Sequence, residues 1–434
     1  MSIPRIGRLC VFLAVAAPLI LAVGDDHNAS IRKETPAAYA IVHASLVPMD
    51  SERVLTDQTI VVSGDRITVI GPSDATSPPE DASIVDVRGA YVTPGLIDMH
   101  VHIRRADLRA YVDAGIRSVR NMWGYQALPA LMHDVDAGAV VGPAIYSASP
   151  GLDASPGVWP ETQFIDDPSQ ADAVVAAQVA AGWRFLKVYN SLSLASYDTI
   201  VAAAKARGIR FLGHVPNRVP VEHALDSGQA SIEHLRGYDL ALTRGSQTAT
   251  FAAWEDIDDS RIPALAAHTA TAGTWNCPTM AVFDVLTRQV DDAERARIRE
   301  NRAAMIRALF DADARLLAGT DSGIGLSVPG ASIHDELADL VAAGIPPYEA
   351  LRAATSGAAE FLEEGDEIGT VAVGHRSDLL IVEGNPLDDV SALRSNEAVV
   401  LRGAWFPGAG RRSPFVFRVV PGGGEPRTIT RSSP

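Results

Sequence analysis

The amino-acid sequence predicts an α/β protein, in which a (β/α)₈ TIM-type barrel carries a small β-sandwich domain formed from the N- and C-terminal segments. Between residues 94 and 366, short apolar segments alternate with Ala-rich helical stretches, which is the pattern of a parallel barrel. On either side, residues 38–93 and 367–420 contain short Val- and Ile-rich runs separated by turn residues. The length of 434 residues suits a barrel of about 250–300 residues with one smaller domain.

Residues 1–24 have the pattern of a secretory signal peptide. Two arginines precede an apolar run from Leu9 to Val23, and Ala22 with Gly24 forms an A-x-G cleavage pattern. An uncleaved anchor is the alternative, but this run is shorter than the roughly 20 residues that a membrane span needs. We therefore expect a periplasmic or secreted protein with no membrane attachment after cleavage.

The predicted strands and helices follow in the order that this architecture requires. The first part of the sandwich contains the predicted strands Tyr39–Val47, Thr59–Ser63, Arg66–Ile70, Ile84–Val87 and Ala90–Val92. The predicted barrel strands are Gly95–Met99, Ile116–Arg120, Ala144–Ala148, Phe185–Val188, Arg210–Gly213, Ala230–Glu233, Thr274–Pro278 and Arg315–Ala318. The helices between them include Ala171–Ala181, Leu194–Ala206 and Ala293–Phe310. After a helical run from His334 to Leu362, the strands Asp378–Val382 and Ala398–Leu401 complete the sandwich.

One segment does not fit the barrel pattern. Residues 239–260 match no strand–helix unit, and we expect them to form an insertion near the active-site face.

Composition excludes several classes of function. The formal net charge of −16 argues against nucleic-acid binding, which needs a positive surface. Cys10 and Cys277 are the only cysteines, and the first lies in the predicted signal peptide. The mature chain is therefore expected to have no internal disulfide and no zinc–thiolate site. Any metal must be held by histidine, carboxylate or a modified lysine.

Residues at the C-terminal ends of barrel strands face a common pocket, and six residues able to bind a metal are predicted there. They are His100, His102, Lys187, His214, His234 and Asp321. The pair His100 and His102 is spaced so that both imidazoles point to one side of an extended chain. A surface or core pair is the alternative interpretation, and the position at a strand end favours the metal site.

Lys187 lies in an apolar stretch, Phe185–Tyr189, where burying a free ammonium group would be costly. Only three of the 37 basic residues are lysines, so each lysine is informative. Carboxylation by CO₂ would convert Lys187 to an anion that can bridge two cations. The alternatives are a lysine that reaches solvent or one that pairs with an acid.

The remaining candidates also have alternative interpretations. A single histidine after a strand is more often structural, but His214 and His234 follow consecutive predicted strands. Asp321 follows a Gly-Thr pair and could cap a turn rather than bind a metal. His334 opens a helix just after the Asp321 loop, where it either contacts substrate or simply starts the helix.

These motifs resemble the amidohydrolase superfamily, and within it the branch that contains imidazolonepropionase-like and prolidase-like enzymes. The resemblance rests on Thr93–His102, on Gly319-Thr320-Asp321, on Arg352–Thr355, and on Gly374–Leu379 followed by Gly384–Leu387. It extends from about Tyr39 to Leu401. The fold that it implies agrees with the barrel and sandwich predicted above.

The resemblance implies a site with two divalent metal ions, usually zinc. In that arrangement His100, His102 and Asp321 hold one ion, His214 and His234 hold the other, and carboxylated Lys187 bridges them. A metal-bridging hydroxide attacks the scissile carbonyl, and Asp321 passes the proton to the leaving nitrogen. The implied function is hydrolysis of a C–N amide or peptide bond in a small substrate, and a homo-oligomer is common among such enzymes.

One departure concerns specificity. Prolidase-like members have a His-Ala-Tyr run after strand 5, whereas this chain has His214-Val215-Pro216, so their carboxylate-binding tyrosine has no match here. Two other functions stay open. One is a mononuclear deaminase, against which Lys187 argues, or a lactone or ester hydrolase on the same scaffold. The other is a secreted binding protein without catalysis.

Overall fold

The computed structural model describes residues 38–245, 251–325, 327–408, 417–419 and 427–428. The predicted signal peptide, residues 1–24, lies outside these ranges and stays a prediction. Among the described residues, no helix combines the length and the apolar character that crossing a membrane would require.

The chain is an α/β protein in which strands and helices alternate through the central region. The described strands are β1 (Ala38–Leu46), β2 (Leu55–Ser63), β3 (Arg66–Pro72), β4 (Ser83–Asp86), β5 (Tyr91–Pro94), β6 (Leu96–Val101), β7 (Ile116–Asn121), β8 (Ala144–Ser147), β9 (Leu152–Asp153), β10 (Gln163–Phe164), β11 (Phe185–Val188), β12 (Arg210–Gly213), β13 (Ser231–Glu233), β14 (Trp275–Cys277), β15 (Leu379–Val382), β16 (Asn396–Leu401), β17 (Ala404–Pro407), β18 (Phe417–Val419) and β19 (Arg427–Thr428). The described α-helices are α1 (Leu108–Asp113), α2 (Leu128–Asp136), α3 (Ala171–Ala180), α4 (Leu194–Arg207), α5 (Val221–Asp226), α6 (Tyr238–Leu242), α7 (Ile262–Ala272), α8 (Met280–Leu286), α9 (Asp292–Asp311), α10 (Ser332–Ala342), α11 (Pro347–Ala353) and α12 (Ser356–Leu362).

Local sequence signals set the ends of the long helices. The hydroxyl of Ser193 accepts a hydrogen bond from the backbone N–H of Ser196 and begins α4. The same helix ends at Gly208, whose φ of 65° lies in the left-handed region that glycine adopts without strain. In α9, the carboxylate of Asp291 caps the N-terminus by accepting from the backbone of Glu294.

One sheet joins strands from both ends of the chain. β1 pairs antiparallel with β2 and parallel with β4 and β5. β5 pairs antiparallel with β15, and β16 and β17 continue the sheet from there. Side chains such as Ile41, Val92 and Ile381 are buried in an apolar cluster that belongs to this sheet. Strands that flank the central region in sequence therefore share one hydrogen-bonded structure.

The central region is built from parallel strands. β6, β7 and β8 form one parallel sheet, and β10, β9, β11, β12, β13 and β14 form another in that order. Isolated parallel bridges join Ala148 to Phe185, Asn276 to Leu316, and Val101 to Ser322. A large apolar cluster packs the helices against these strands.

The strands differ from the sequence prediction mainly where they are short. The predicted bounds of β11 and β12 coincide with those observed. The predicted eighth barrel strand, Arg315–Ala318, is not a regular strand in the structure. It is a segment held by the bridges of Leu316 and Ser322, and by a hydrogen bond from the Leu317 N–H to the Asn276 carbonyl. The two-residue strands β9 and β10 were not predicted, because two residues are too few to establish a period.

Candidate metal centre and active site

The six residues predicted to bind metal all line one cavity of about 360 Å³. They are His100, His102, Lys187, His214, His234 and Asp321. They lie in or just after β6, β11, β12 and β13, and in the segment that follows Leu316. Because the carboxyl ends of parallel strands lie at the same edge, residues far apart in sequence converge at this cavity.

Asp321 lies at the centre of the first group of ligand-type atoms. Its Oδ1 is 2.9 Å from His102 Nε2 and 3.3 Å from His100 Nε2. One nitrogen from each ring and one oxygen of Asp321 lie within 4.8 Å of one another, as the ligands of one ion must. The backbone of Asp321 has a φ of 54°, and its N–H donates to the His100 carbonyl over 2.7 Å. This bond holds the two strand ends together.

A second group adjoins the first. His234 Nε2 lies 3.9 Å from the other oxygen of Asp321, Oδ2. The ring of His234 is 4.9 Å from that of His214 and 4.5 Å from that of His100, measured between centroids. Lys187 is 1% exposed and lines the same cavity. Asp321 therefore lies close to His100, His102 and His234, while His214 and the buried Lys187 line the same cavity.

Neighbouring side chains orient three of the histidine rings. In each ring Nδ1 is hydrogen-bonded to a polar side chain, so Nε2 is the nitrogen left for a ligand or the cavity. The pairs are His100 with Glu233 at 2.8 Å, His214 with Asn190 at 2.7 Å, and His234 with Thr279 at 2.6 Å. Metal-binding histidines are commonly held in this way.

Glu233 is itself held in a charged pair. Arg120 Nη2 donates to both oxygens of Glu233, at 2.8 and 3.0 Å, and neither side chain is exposed. Burial alone would raise the pKa of Glu233, but the charge of Arg120 and the hydrogen bond with His100 hold this pKa below its ordinary value. Glu233 is therefore an anion that can accept a hydrogen bond from a protonated Nδ1 of His100.

The backbone beside His234 has an uncommon conformation. His234 and Leu235 have φ values of 60° and 56°, in the left-handed region where a bulky side chain is disfavoured. The buried guanidinium of Arg302 donates to the carbonyls of His234 and Pro278, at 3.0 and 2.7 Å. These bonds support a turn that aims the His234 ring into the cavity.

Burial determines the charge states of the site. Burial lowers the pKa values of His102, His214 and His234, so each imidazole is neutral and keeps a lone pair for a metal. Burial also lowers the pKa of Lys187 to about 8, which leaves more neutral amine at pH 7 than an exposed lysine has. Burial would raise the pKa of Asp321, but the nearby histidines hold it well below its usual range.

The arrangement of the donor atoms suits a bound divalent cation better than direct hydrogen bonds between the side chains. His100 Nε2 and Asp321 Oδ1 are both buried, and within the described residues neither has a hydrogen bond of acceptable geometry. Buried polar atoms are rarely left without partners, so their proximity calls for a bound species. Neutral imidazoles and a carboxylate are donors that zinc accepts.

Aromatic side chains form much of the cavity wall. Trp159 Nε1 donates to the hydroxyl of Tyr189 over 2.8 Å, and Trp123 packs edge-on against the same tyrosine. Trp254 and Phe283 also line the cavity. Asp239 and Trp254 belong to the 239–260 segment, so these two residues lie at the cavity, near which the segment was predicted to lie.

Comparison with known proteins identifies the family. The sequence pattern of the amidohydrolase family matches residues 91–403. The chain belongs to the amidohydrolase family. The family predicted from the strand-end motifs is therefore confirmed.

Relatives of this amidohydrolase differ in activity. An imidazolonepropionase from Micrococcus luteus is 26% identical over 392 residues, which cover 78% of this chain and 91% of that protein. An adenine deaminase from Mesorhizobium japonicum is 23% identical over 402 residues, which cover 83% of this chain and 56% of that protein. This chain thus spans about half the length of such adenine deaminases.

Solved structures agree with the fold. A prolidase candidate from Bifidobacterium longum is 25% identical, with a TM-score of 0.71 over 86% of this chain and 96% of that one. A Xaa-Pro dipeptidase solved with methionine in its active site is 21% identical, with a TM-score of 0.69 over 86% of this chain and 100% of that one.

His334, the predicted substrate contact, lies apart from the six candidate metal ligands in this amidohydrolase. It lies on α10 and is not among the described residues that line the cavity. Burial and, to a smaller extent, the positive charge of Arg394 lower its pKa to about 4. The geometry therefore lends no support to the predicted contact with substrate.

Sequence reasoning missed the residues that support the ligands. Arg120 is one of two arginines in β7, and charged residues in a central strand were a usable signal. Asn190 and Thr279 gave none, because a polar residue in a loop is ordinary. The guanidinium of Arg236, which also lines the cavity, was likewise not predicted.

Proposed function

We propose that this amidohydrolase uses two divalent cations, most simply zinc, to hydrolyse a C–N amide or peptide bond in a small substrate. The observation that carries the proposal is the convergence of six candidate ligands from five chain segments on one cavity. The cavity volume of about 360 Å³ falls within the range of small-molecule sites.

We also infer that the central strands close into a (β/α)₈ barrel. The sheet that joins strands from both ends of the chain would form a β-sandwich beside it. Three of the isolated bridges support closure, because they link the end of β8 to β11, β14 to the Leu316 segment, and that segment to β6. The parallel direction of each bridge fits a barrel in which every strand runs the same way.

The six candidate ligands would be divided between the two cations. His100, His102 and Asp321 would hold one cation, and His214 with His234 would hold the other. Lys187, carboxylated by CO₂, would supply the anion shared by both. Such cations provide Lewis acidity, which polarises a carbonyl group and makes a water molecule a better nucleophile near neutral pH.

Asp321 is the residue to which we assign proton transfer. Asp321 Oδ1 faces the Nε2 atoms of His100 and His102, while Oδ2 lies on the His234 side. We assign Oδ2 as the atom that accepts a proton from water and returns it to the leaving nitrogen. The aromatic wall around Trp159 and Tyr189 would limit the access of bulk water during the transfer.

A deaminase with a single metal is the second candidate, because the relatives include an imidazolonepropionase and adenine deaminases. The buried position of Lys187 in the cavity favours the first candidate. A site with one cation needs no bridging ligand, so it would not account for a buried lysine, whose burial is costly.

A substrate panel tests the function. Zinc-loaded protein is incubated with dipeptides, N-acyl amino acids, simple esters and lactones, and adenine, and released amine, acid or ammonia is measured. We expect amine release from an amide or peptide that stops when the metal is chelated. Release of ammonia from adenine would favour the deaminase. Turnover of no substrate would favour a non-catalytic binding protein and contradict the proposal.

A further inference from the structure

Arg236 is the only arginine among the described residues that line the cavity. Its side chain is 13% exposed and follows the turn that carries His234. Nη1 donates to Asp239 Oδ2 over 2.6 Å, and Nη2 donates to Asn217 Oδ1 over 2.9 Å. The two partners lie on different chain segments, so they fix the plane of the guanidinium group.

The carboxylate of Asp239 accepts hydrogen bonds on both of its oxygens. Asp239 Oδ1 accepts from the backbone N–H groups of Gly237 and Leu240, at 2.8 and 2.9 Å, and its side chain is 2% exposed. Asp239 is therefore a fixed, buried support with its charge shared among three donors. It cannot rotate to accept more bonds from Arg236.

Arg236 keeps donors that these contacts do not use. A guanidinium group has five N–H donors in a rigid fork, and two of them bond to Asp239 and Asn217 in the described part of the chain. A planar fork with fixed orientation suits a carboxylate, which can accept two parallel hydrogen bonds.

The position relative to the metal ligands is also suitable. Arg236 comes two residues after His234 in the sequence, and it lines the same cavity as His214 and His234. Trp254, Val282, Phe283 and Leu286 line the same cavity and supply an apolar surface. An anion and an apolar side chain can thus be bound in one cavity beside the metal ligands.

We propose that Arg236 is a specificity-determining residue that binds a free carboxylate on the substrate. The substrate class is then an amide whose amine side is an amino acid with an apolar side chain, such as an N-acyl amino acid or a dipeptide. This inference rests on the proposed function, because it names the substrate of that same site.

Direct binding tests the subsite without requiring turnover. The probes are N-methanesulfonyl-L-leucine, which has a carboxylate, and its carboxamide, which does not; in both, a sulfonamide replaces the bond that the enzyme would cleave. Dissociation constants are measured by calorimetry on zinc-loaded wild type, on Arg236→Gln, and on Arg244→Gln as a control. Arg244 is an exposed arginine that pairs with Asp256 and Asp258, and it does not line the cavity.

The carboxylate probe should bind about 10- to 100-fold more weakly to Arg236→Gln, which corresponds to the loss of a charge-assisted bond. The amide probe should bind the wild type more weakly than the acid does, and Arg236→Gln should hardly change it. Arg244→Gln should bind both probes as the wild type does. Because Arg236→Gln removes the positive charge beside the buried Asp239, the double variant Arg236→Gln/Asp239→Asn is measured as well, and it should show the same loss.

Three results would overturn the inference: equal affinity for acid and amide in the wild type, unchanged affinity for the acid in both Arg236 variants, or no binding of the acid at about 10 mM, where even a millimolar site is filled. The proposed function fails separately. Binding of the acid that depends on Arg236, without hydrolysis of any amide, would retain the subsite and reject the hydrolase.

Discussion

His100 Nδ1 lies 2.8 Å from Glu233 Oε2, deep in a region where neither side chain is more than 1% exposed. Arg120 binds the same carboxylate, so a chain of three buried groups fixes the orientation of one imidazole. The opposite nitrogen, Nε2, then points at Asp321. The ligand geometry thus depends on residues that do not themselves face the cavity.

Glu233→Gln should weaken metal binding by about 10- to 100-fold, as is typical when the partner of a ligating histidine is lost. The amide cannot carry the charge that Arg120 and His100 stabilise. The measurement is a competitive zinc titration with a chromophoric chelator. Glu255→Gln, which changes an exposed ion pair with Arg297, serves as the control and should titrate like the wild type. Equal zinc affinities for all three proteins would show that Glu233 does not support a ligand.

Asp321→Asn should reduce turnover by about 10²- to 10⁴-fold, the usual contribution of a positioned proton-transfer group. Asparagine tolerates the left-handed backbone, so the change should leave the fold intact. Asp313→Asn is a matched control, because Asp313 is exposed and has a similar φ of 62°. Rates are compared at saturating zinc. A turnover in Asp321→Asn close to that of the control would remove Asp321 from the reaction.

His334→Leu should change how stability depends on pH. The folded-state pKa of His334, about 4, is below its unfolded value of 6.5, so the neutral form is favoured in the folded protein. The stability that this provides is present above pH 6.5 and is lost as the pH falls towards 4. The loss is at most about 3 kcal/mol.

The measurement is the free energy of unfolding of metal-free protein at several pH values between neutral and 4. His334→Leu should flatten the decline, whereas His133→Leu, a change at an exposed histidine of α2, should not. Parallel curves for the wild type and His334→Leu would mean that His334 already titrates normally in the folded protein.

Much of the arrangement could be predicted from sequence because of its periodicity. β11 and β12 were predicted with their observed bounds, since each is an apolar run between helical stretches. Parallel strands place their carboxyl ends together, so His214 and His234 could be expected at one site. Geometry then brought all six candidate ligands to the same cavity.

The residues that orient the ligands were harder to predict, because they contact residues that are distant in sequence. Glu233 was visible only as the neighbour of His234, and no sequence pattern links it to His100 or Arg120, which lie more than 100 residues away. The interpretation of His334 relied on its distance from Asp321 in sequence. The direction of a side chain on a helix depends on what the helix packs against, which the local sequence does not specify.

The most direct test of the two-cation centre is the metal content of purified protein by elemental analysis, comparing wild type, Lys187→Ala and the exposed-lysine control Lys205→Ala. The proposal predicts about two equivalents in the wild type and in Lys205→Ala, with a clear decrease in Lys187→Ala, because the shared anionic ligand is lost. About one equivalent in all three proteins would contradict the two-cation centre, make Lys187 an ordinary buried lysine, and favour the single-metal deaminase.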